Sequence, residues 1–227
     1  MPKKTAKKNE ILVTEVEAKA RLRKAGIPVI ETRLARTKAE AVAFSKEMGY
    51  PVAMKIVSPD AIHKSDVGGV KLGIANATQA GKAYSDIVSS VKKQVPNANI
   101  EGVSVQKMAE PGVEIIIGMN QDPQFGPVLM FGLGGILVEV LKDVSFRLVP
   151  VTRLDAAEMV REIKGNALLH GYRGQKPVNI PALEKLIVKV SDFIEKNPDI
   201  EELDLSPLIA TASGIIAVDA RIVLKSE

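Results

Sequence analysis

The spacing of apolar and polar positions predicts helices that alternate with strands along the chain. Residues 14–17 (TEVE) and 37–40 (TKAE) have the Thr-x-x-Glu spacing of a capping box, in which two side chains satisfy free backbone N–H groups at a helix start. Three further helices are predicted at 76–95, at 152–163 and along the apolar stripe 183–194, which Pro198 follows closely. These stripes are typical of helix faces that pack into a core.

Shorter apolar runs predict strands at 52–57, 100–106, 113–119 and 127–132, followed by a C-terminal hairpin of 201–210 and 214–224. In the first run, alternation places Met54 on one face and Lys55 on the other. Lysine is rarely buried, so we expect the face of Met54 to pack and the face of Lys55 to open into a cleft that holds an anion.

The hairpin brings acidic side chains to one face. Glu202, Asp204 and Ser206 alternate on its first strand, and a turn pairing residue 211 with 214 would place Asp219 opposite Ser206. Two carboxylates on neighbouring strands can form half of a Mg²⁺ site that nucleotide phosphates complete. The same pattern also fits a cross-strand charge pair, such as Asp204 with Arg221, and both interpretations stay open.

Composition narrows the class of protein. With 227 residues, of which 46% are hydrophobic, the chain suits one large domain or two joined subdomains. The absence of cysteine excludes disulfides, thiolate metal sites and a cysteine nucleophile. No apolar run reaches transmembrane length, and no apolar signal core begins the chain, so we expect a cytoplasmic protein without membrane contact.

Most of the positive charge lies at the N-terminus. Residues 1–10 hold four lysines and one glutamate, a net +3 of the chain's +4, which leaves +1 for the remainder. We expect residues 1–9 to be a disordered basic tail. With 4% aromatic residues and no basic stripe elsewhere, the sequence does not favour nucleic-acid binding.

The loop 58–69 carries the strongest chemical signal. It contains His63, one of only two histidines, and ends in Gly68-Gly69, just after the strand with Lys55. Imidazole can accept a phosphoryl group and pass it on near neutral pH, and glycines let backbone approach phosphate oxygens. We therefore predict phosphoryl transfer, with a polar loop that moves as a carrier; the second histidine, His170, is interpreted as structural.

Several segments together resemble one family, the β subunits of archaeal ADP-forming acetyl-CoA synthetases, which are NDP-forming acyl-CoA synthetases with an ATP-grasp nucleotide site. The segments that carry the resemblance are 51–74, 112–119, 122–127, 131–135, 171–174 and 202–208. Their order and spacing cover the chain from about residue 10 to its end.

The resemblance implies an α+β ATP-grasp fold over 10–227, with subdomains of roughly 10–103 and 104–227 that clamp ATP or ADP. It also implies the site residues: Lys55 binds phosphate, Gln106, Lys107 and Met108 form the strand that meets adenine, Glu114 belongs to the nucleotide cleft, and Asp204, Ser206 and Asp219 hold Mg²⁺. Serine at 206 departs from the family, which has asparagine there.

The resemblance further implies that this chain is incomplete as an enzyme. A partner α subunit, in an α2β2 assembly, would carry the CoA site, and His63 would relay the phosphoryl group from it to ADP. Asp204 would either ligate the metal or orient His63. Consistently, no G-x-G-x-x-G follows a first strand here.

Three alternatives remain. The chain could be the β subunit of another NDP-forming acyl-CoA synthetase, such as a succinate–CoA ligase, which uses a different acid. An ATP-grasp carboxylate–amine ligase would need no histidine, so His63 disfavours it. A non-catalytic regulatory module would have lost the histidine, the lysine or a metal acid, and the sequence retains all three.

Overall fold

The structure, a computed structural model, describes residues 10–61, 64–135, 142–172, 174 and 176–225. The predicted basic tail 1–9 and His63 lie outside the described residues. Helices are α1 (Glu15–Lys24), α2 (Lys38–Met48), α3 (Ala77–Gln94), α4 (Arg153–Glu162) and α5 (Ile180–Glu195), with a 3-10 helix at Lys164–Leu168. Strands are β1 (Glu10–Val13), β2 (Thr32–Ala35), β3 (Val52–Val57), β4 (Val70–Ile74), β5 (Gly102–Lys107), β6 (Val113–Asp122), β7 (Gly126–Leu133), β8 (Val144–Leu148), β9 (Ile200–Ala210), β10 (Ile215–Ala217) and β11 (Arg221–Lys225).

The chain forms two compact units and crosses between them more than once. The smaller unit comprises Thr14–Glu17 and Ile30–Ala109, and the larger one contains β1, Ala18–Val29 and the chain from Glu110 onward. The two units therefore differ from the predicted subdomains, which were contiguous segments of roughly 10–103 and 104–227. The reason is that β1 pairs with β11 at the far end of the sequence, which assigns the first strand to the larger unit.

The smaller unit is a four-stranded antiparallel sheet in the order β2-β5-β3-β4, with α2 and α3 in its core. Met54 and Ile56 of β3 are fully buried in this core, as the alternation predicts. The capping box of α2 is present: Thr37 Oγ1 accepts the Glu40 N–H at 3.1 Å, and the Glu40 carboxylate accepts the Thr37 N–H at 3.3 Å. These local bonds fix where the helix begins.

The larger unit is a mainly antiparallel sheet in the order β1-β11-β9-β6-β7-β8, with β10 paired to β9. Its core joins one face of the sheet to α4, α5 and the second half of α1. The other face carries polar side chains on β9 and exposed apolar ones on β8, including Phe146 and Leu148. No helix among the described residues is long and apolar enough to cross a membrane.

The C-terminal hairpin has the predicted register. The Thr211 N–H donates to Gly214 O at 2.9 Å, and both β10 and β11 pair with β9 in the register that this turn sets. The second strand is interrupted between Ala217 and Arg221, a break that the sequence pattern did not predict. Because the register is the same on both sides, Asp219 lies opposite Ser206, as expected.

Candidate active site

A buried ion cluster lies in the smaller unit at the first turn of α1. Glu15 Oε1 is 3.0 Å from Lys55 Nζ, and its Oε2 is 2.5 Å from Lys64 Nζ. The Glu15 side chain is 2% exposed and that of Lys55 8%. The expectation that Lys55 faces an open cleft is therefore wrong for this structure, because a carboxylate 40 residues away already accompanies the ammonium group.

Glu15 is the functional candidate that sequence reasoning missed. Thr14 and Glu17 were identified as a capping box, and their side chains do lie 3.3 Å apart. Glu15 sits between them, and an acidic residue in a first helical turn is ordinarily explained by the helix dipole. The burial of its carboxylate against Lys55, which the sequence does not show, makes Glu15 a candidate.

More polar side chains line the same sheet face as Lys55. Ser104, opposite Lys55 on β5, donates its hydroxyl to the Lys55 carbonyl at 3.3 Å. Gln106 is buried, and its Oε1 accepts the Thr32 hydroxyl at 3.5 Å. The next residues, Lys107 and Met108, are exposed, and the chain leaves the smaller unit after residue 109. The residues predicted to meet adenine thus lie just before the chain passes from the smaller unit to the larger one.

Both flanks of His63 are attached to the smaller unit. On one side, Asp60 Oδ2 accepts the Asn99 N–H at 2.7 Å. On the other, Lys64 O accepts the Gly69 N–H at 2.7 Å, and Ser90 Oγ donates to Val67 O at 2.9 Å. Movement of the whole loop 58–69 would have to break these bonds.

Gly69 allows the loop to pack closely against β3. A Cβ atom at this position would lie 2.6 Å from Cγ2 of Ile56 and 2.8 Å from the Lys64 carbonyl oxygen. The Gly69 carbonyl also accepts the Ile56 N–H at 2.7 Å. The glycine therefore lets the loop return closely over β3.

The larger unit carries the predicted acids on its open sheet face. Arg221 is opposite Asp204 in the strand register, yet Arg221 Nη1 pairs with Glu202 Oε1 at 3.3 Å. Oδ1 of Asp204 is shielded from solvent and has no hydrogen-bond partner. The cross-strand ion pair of Arg221 is therefore with Glu202 rather than with Asp204, and the Asp204 carboxylate keeps an oxygen without a hydrogen-bond partner.

The pKa of Asp204 is raised to about 6, first by burial and then by the nearby charges of Glu202 and Asp219, against the opposing effect of Arg221. An unsatisfied buried carboxylate with a raised pKa costs stability, so its retention points to a function rather than a structural role. A cation near its free oxygen would favour the charged form.

The donor set fits a shared divalent cation. Asp219 lies opposite Ser206, and the Ser206 side chain makes no hydrogen bond to the part of the chain that the structure describes. Across the described residues, no three histidine, cysteine or acidic side chains come together as a complete metal site. Two carboxylates and a hydroxyl suit Mg²⁺, which keeps waters and takes further oxygens from a nucleotide.

Glu114 shares this sheet face. It is exposed on β6, between the buried positions that face the core. Its carbonyl accepts the Gly134 N–H at 2.7 Å, and a Cβ at Gly135 would lie 2.8 Å from its Oε2. The glycine pair therefore allows the backbone to pass close to the Glu114 carboxylate.

The site residues thus form two groups. The smaller unit holds Lys55, Gln106, Lys107 and Met108, and the larger unit holds Glu114, Asp204, Ser206 and Asp219. Within each unit the predicted residues share a sheet face or a strand end.

Comparisons with known proteins agree with this geometry. The family described as ATP-grasp domain matches residues 4–224. The β subunit of acetate–CoA ligase (ADP-forming) I from Pyrococcus furiosus is 53% identical over 93% of this chain and 91% of its own length.

Solved structures show the same similarity. An acetyl-coenzyme A synthetase 1 from Ca. Korarchaeum cryptofilum, in complex with coenzyme A and Ca-AMPCP, has a TM-score of 0.92 at 50% identity, covering 94% of this chain and 93% of that one. The same enzyme with coenzyme A and Mg-AMPPCP, its phosphohistidine segment pointing towards the nucleotide-binding site, has a TM-score of 0.83 at 45% identity, with the same coverage. This chain therefore belongs to the ATP-grasp family and, within it, to the β subunits of ADP-forming acetate–CoA ligases.

Proposed function

We propose that this chain binds the nucleotide and relays the phosphoryl group in an enzyme that converts acetyl-CoA, ADP and phosphate to acetate, ATP and CoA. The observation that carries the proposal is the buried oxygen of Asp204, which has no hydrogen-bond partner and lies near the charge of Asp219. A fold that needed Asp204 only for structure would have satisfied that oxygen.

The proposed step is a phosphoryl transfer from His63. The terminal phosphate oxygen of ADP attacks the phosphorus on the imidazole, the P–O bond of ATP forms, and the P–N bond breaks with its electron pair returning to the ring nitrogen. Lys55 would bind phosphate oxygens, and Glu15 would hold its ammonium group in place. Gln106, Lys107 and Met108 would meet the adenine, and Glu114 would lie in the nucleotide cleft.

Asp204, Ser206 and Asp219 would hold Mg²⁺. When bound, the cation would neutralise negative charge on the nucleotide phosphates. The raised pKa of Asp204 means that its carboxylate is ready to gain from a nearby cation. Whether Asp204 also orients His63 stays open.

In one relative a phosphohistidine segment points towards the nucleotide-binding site, which supports a phosphohistidine relay of the kind proposed for His63. The β-subunit name of the Pyrococcus relative implies an α partner, and we propose an α2β2 assembly in which that partner holds the CoA site. The cytoplasmic location stays a prediction.

Labelling of the histidine tests the proposal. The reconstituted complex, incubated with Mg-ATP labelled in its γ-phosphate, should give an acid-labile, base-stable label on this chain. The label should disappear in His63→Ala and persist in His170→Ala, a matched control at an exposed histidine of the larger unit. Equal labelling of both variants would refute the relay.

A second prediction concerns the chain alone. Purified without its partner, it should bind Mg-ADP but show no acetyl-CoA-dependent ATP synthesis in a coupled assay, since the CoA site is proposed to lie on the α subunit. Addition of that subunit should restore turnover. Full activity from the single chain would contradict the two-subunit proposal.

A further inference from the structure

The buried carboxylate of Glu15 contacts both the phosphate-binding lysine and the residue that follows His63. Lys64 Nζ lies 2.5 Å from Oε2, and Lys55 Nζ lies 3.0 Å from Oε1. The Lys64 side chain is 22% exposed, so this contact is partly shielded from water. A carboxylate that accepts from two ammonium groups in such a place holds both in fixed positions.

We infer that Glu15 is a positioning residue, which anchors the loop of His63 to the first turn of α1 through Lys64 and sets that loop relative to Lys55. This inference rests on the proposed function, because positioning the loop matters only if His63 carries the phosphoryl group. Glu15 itself would touch neither nucleotide nor imidazole.

The anchor differs in kind from the other attachments of the loop. The bonds from Gly69 to Lys64 and from Ser90 to Val67 are neutral and close the loop on itself or hold its later part against α3. The contact with Glu15 is ionic, and it engages the side chain directly adjacent to His63. Among the described contacts of the loop, it is the ionic one that holds the residue next to His63 in the sequence.

The anchor also links two requirements of the transfer. A phosphoryl group moves between histidine and nucleotide only when the reacting atoms are close and aligned. Since the Glu15 carboxylate contacts both Lys55 and Lys64, it fixes the loop and the phosphate-binding ammonium group relative to each other. Loss of the anchor should slow transfer even when the nucleotide is fully bound.

The test uses the complex of this chain with its α partner and follows single-turnover labelling of His63 by saturating Mg-ATP. In Lys64→Met the rate should fall about tenfold, the effect of losing one charge-assisted hydrogen bond. Lys64→Arg keeps the ionic contact and should recover most of the rate. Lys71→Met is the matched control, because Lys71 is exposed on the neighbouring strand β4 and makes no ion pair with the described residues; its rate should not change.

Binding and stability separate positioning from folding. Nucleotide affinity of Lys64→Met, measured by calorimetry, should stay within about twofold of wild type, since the loss is expected in the rate of the transfer step. Glu15→Gln should show the same slow transfer, together with a lower melting temperature because Lys55 loses its counter-charge.

The outcomes are distinct. If Lys64→Met acquires label as fast as wild type and Lys71→Met, the anchor is refuted while the phosphohistidine relay stands. The same holds if the whole defect of Lys64→Met lies in its nucleotide affinity. If wild type acquires no label, the relay and the anchor both fall.

Discussion

Replacement of Asp204 by asparagine should stabilise the protein while it stops phosphoryl transfer. The pKa of the carboxyl group is raised to about 6 from an ordinary value of 3.8, first by burial and then by Glu202 and Asp219. At 1.36 kcal/mol per pKa unit, this difference corresponds to about 3 kcal/mol. The ionised side chain therefore destabilises the folded state, and asparagine has no charge to bury.

The sign of the effect fixes its pH dependence. Between pH 4 and 6 the folded state binds more protons at Asp204 than the unfolded chain, so the stability of the wild type falls as pH rises. The cost is absent below about pH 4 and complete above about pH 6, where Asp204→Asn should be up to about 3 kcal/mol more stable. The advantage should shrink as pH is lowered towards 4.

Denaturant unfolding at several pH values, from 4.5 to 8, measures this difference. Asp192→Asn is the matched control: Asp192 is exposed on α5 of the same unit and forms no ion pair with the described residues. Its effect on the free energy of unfolding should be small. Mg-ADP should also stabilise the wild type more than Asp204→Asn. An Asp204→Asn protein less stable than wild type at pH 8, or a difference that does not vary with pH, would refute the reasoning.

Two further predictions follow from the smaller unit. Lys55→Met should lower the free energy of unfolding by about 3 kcal/mol, because it removes one partner of a buried ion pair, and it should also weaken nucleotide binding. Chemical denaturation measures the first effect and calorimetry the second. Unchanged stability would mean that the buried Glu15 carboxylate does not need Lys55 as its counter-charge. Gly69→Ala should cost about 1–3 kcal/mol through its clash with Ile56 and slow the labelling of His63. Gly81→Ala on α3 is the comparison, because its Cβ would meet mainly the end of the flexible Lys38 side chain and should cost less; an equal cost in both variants would show that the contact with Ile56 does not govern Gly69.

The sequence was sufficient for features that depend on neighbouring residues. The predicted capping box at Thr37 rests on bonds that span three residues, and the structure contains it. The hairpin register was equally accessible, because a tight turn between residues 211 and 214 sets the pairs as far as Val223 with Glu202, after which the register shifts. The mixed α+β ATP-grasp fold predicted from the combined segments is confirmed.

Short strands were harder to predict. The strands β1, β2 and β8 have four or five residues each, too few for alternation to stand out from loop sequence. The pairing of β1 with β11 joins the two ends of the chain, so no local pattern could reveal it. That pairing is also why the units are not contiguous halves.

The chemistry of the charged groups was decided by tertiary structure. The sequence marked Lys55 by its place in an apolar strand and Asp204 by the polar strand face that it shares with Glu202 and Ser206. It could not say what each side chain meets. Packing of the first turn of α1 against β3 gives Lys55 a carboxylate from Glu15, while burial on β9 leaves Asp204 with an oxygen that nothing satisfies. The physical reason is that helix caps and turns depend on bonds between near neighbours, whereas the environment of a buried charge depends on every segment that folds around it.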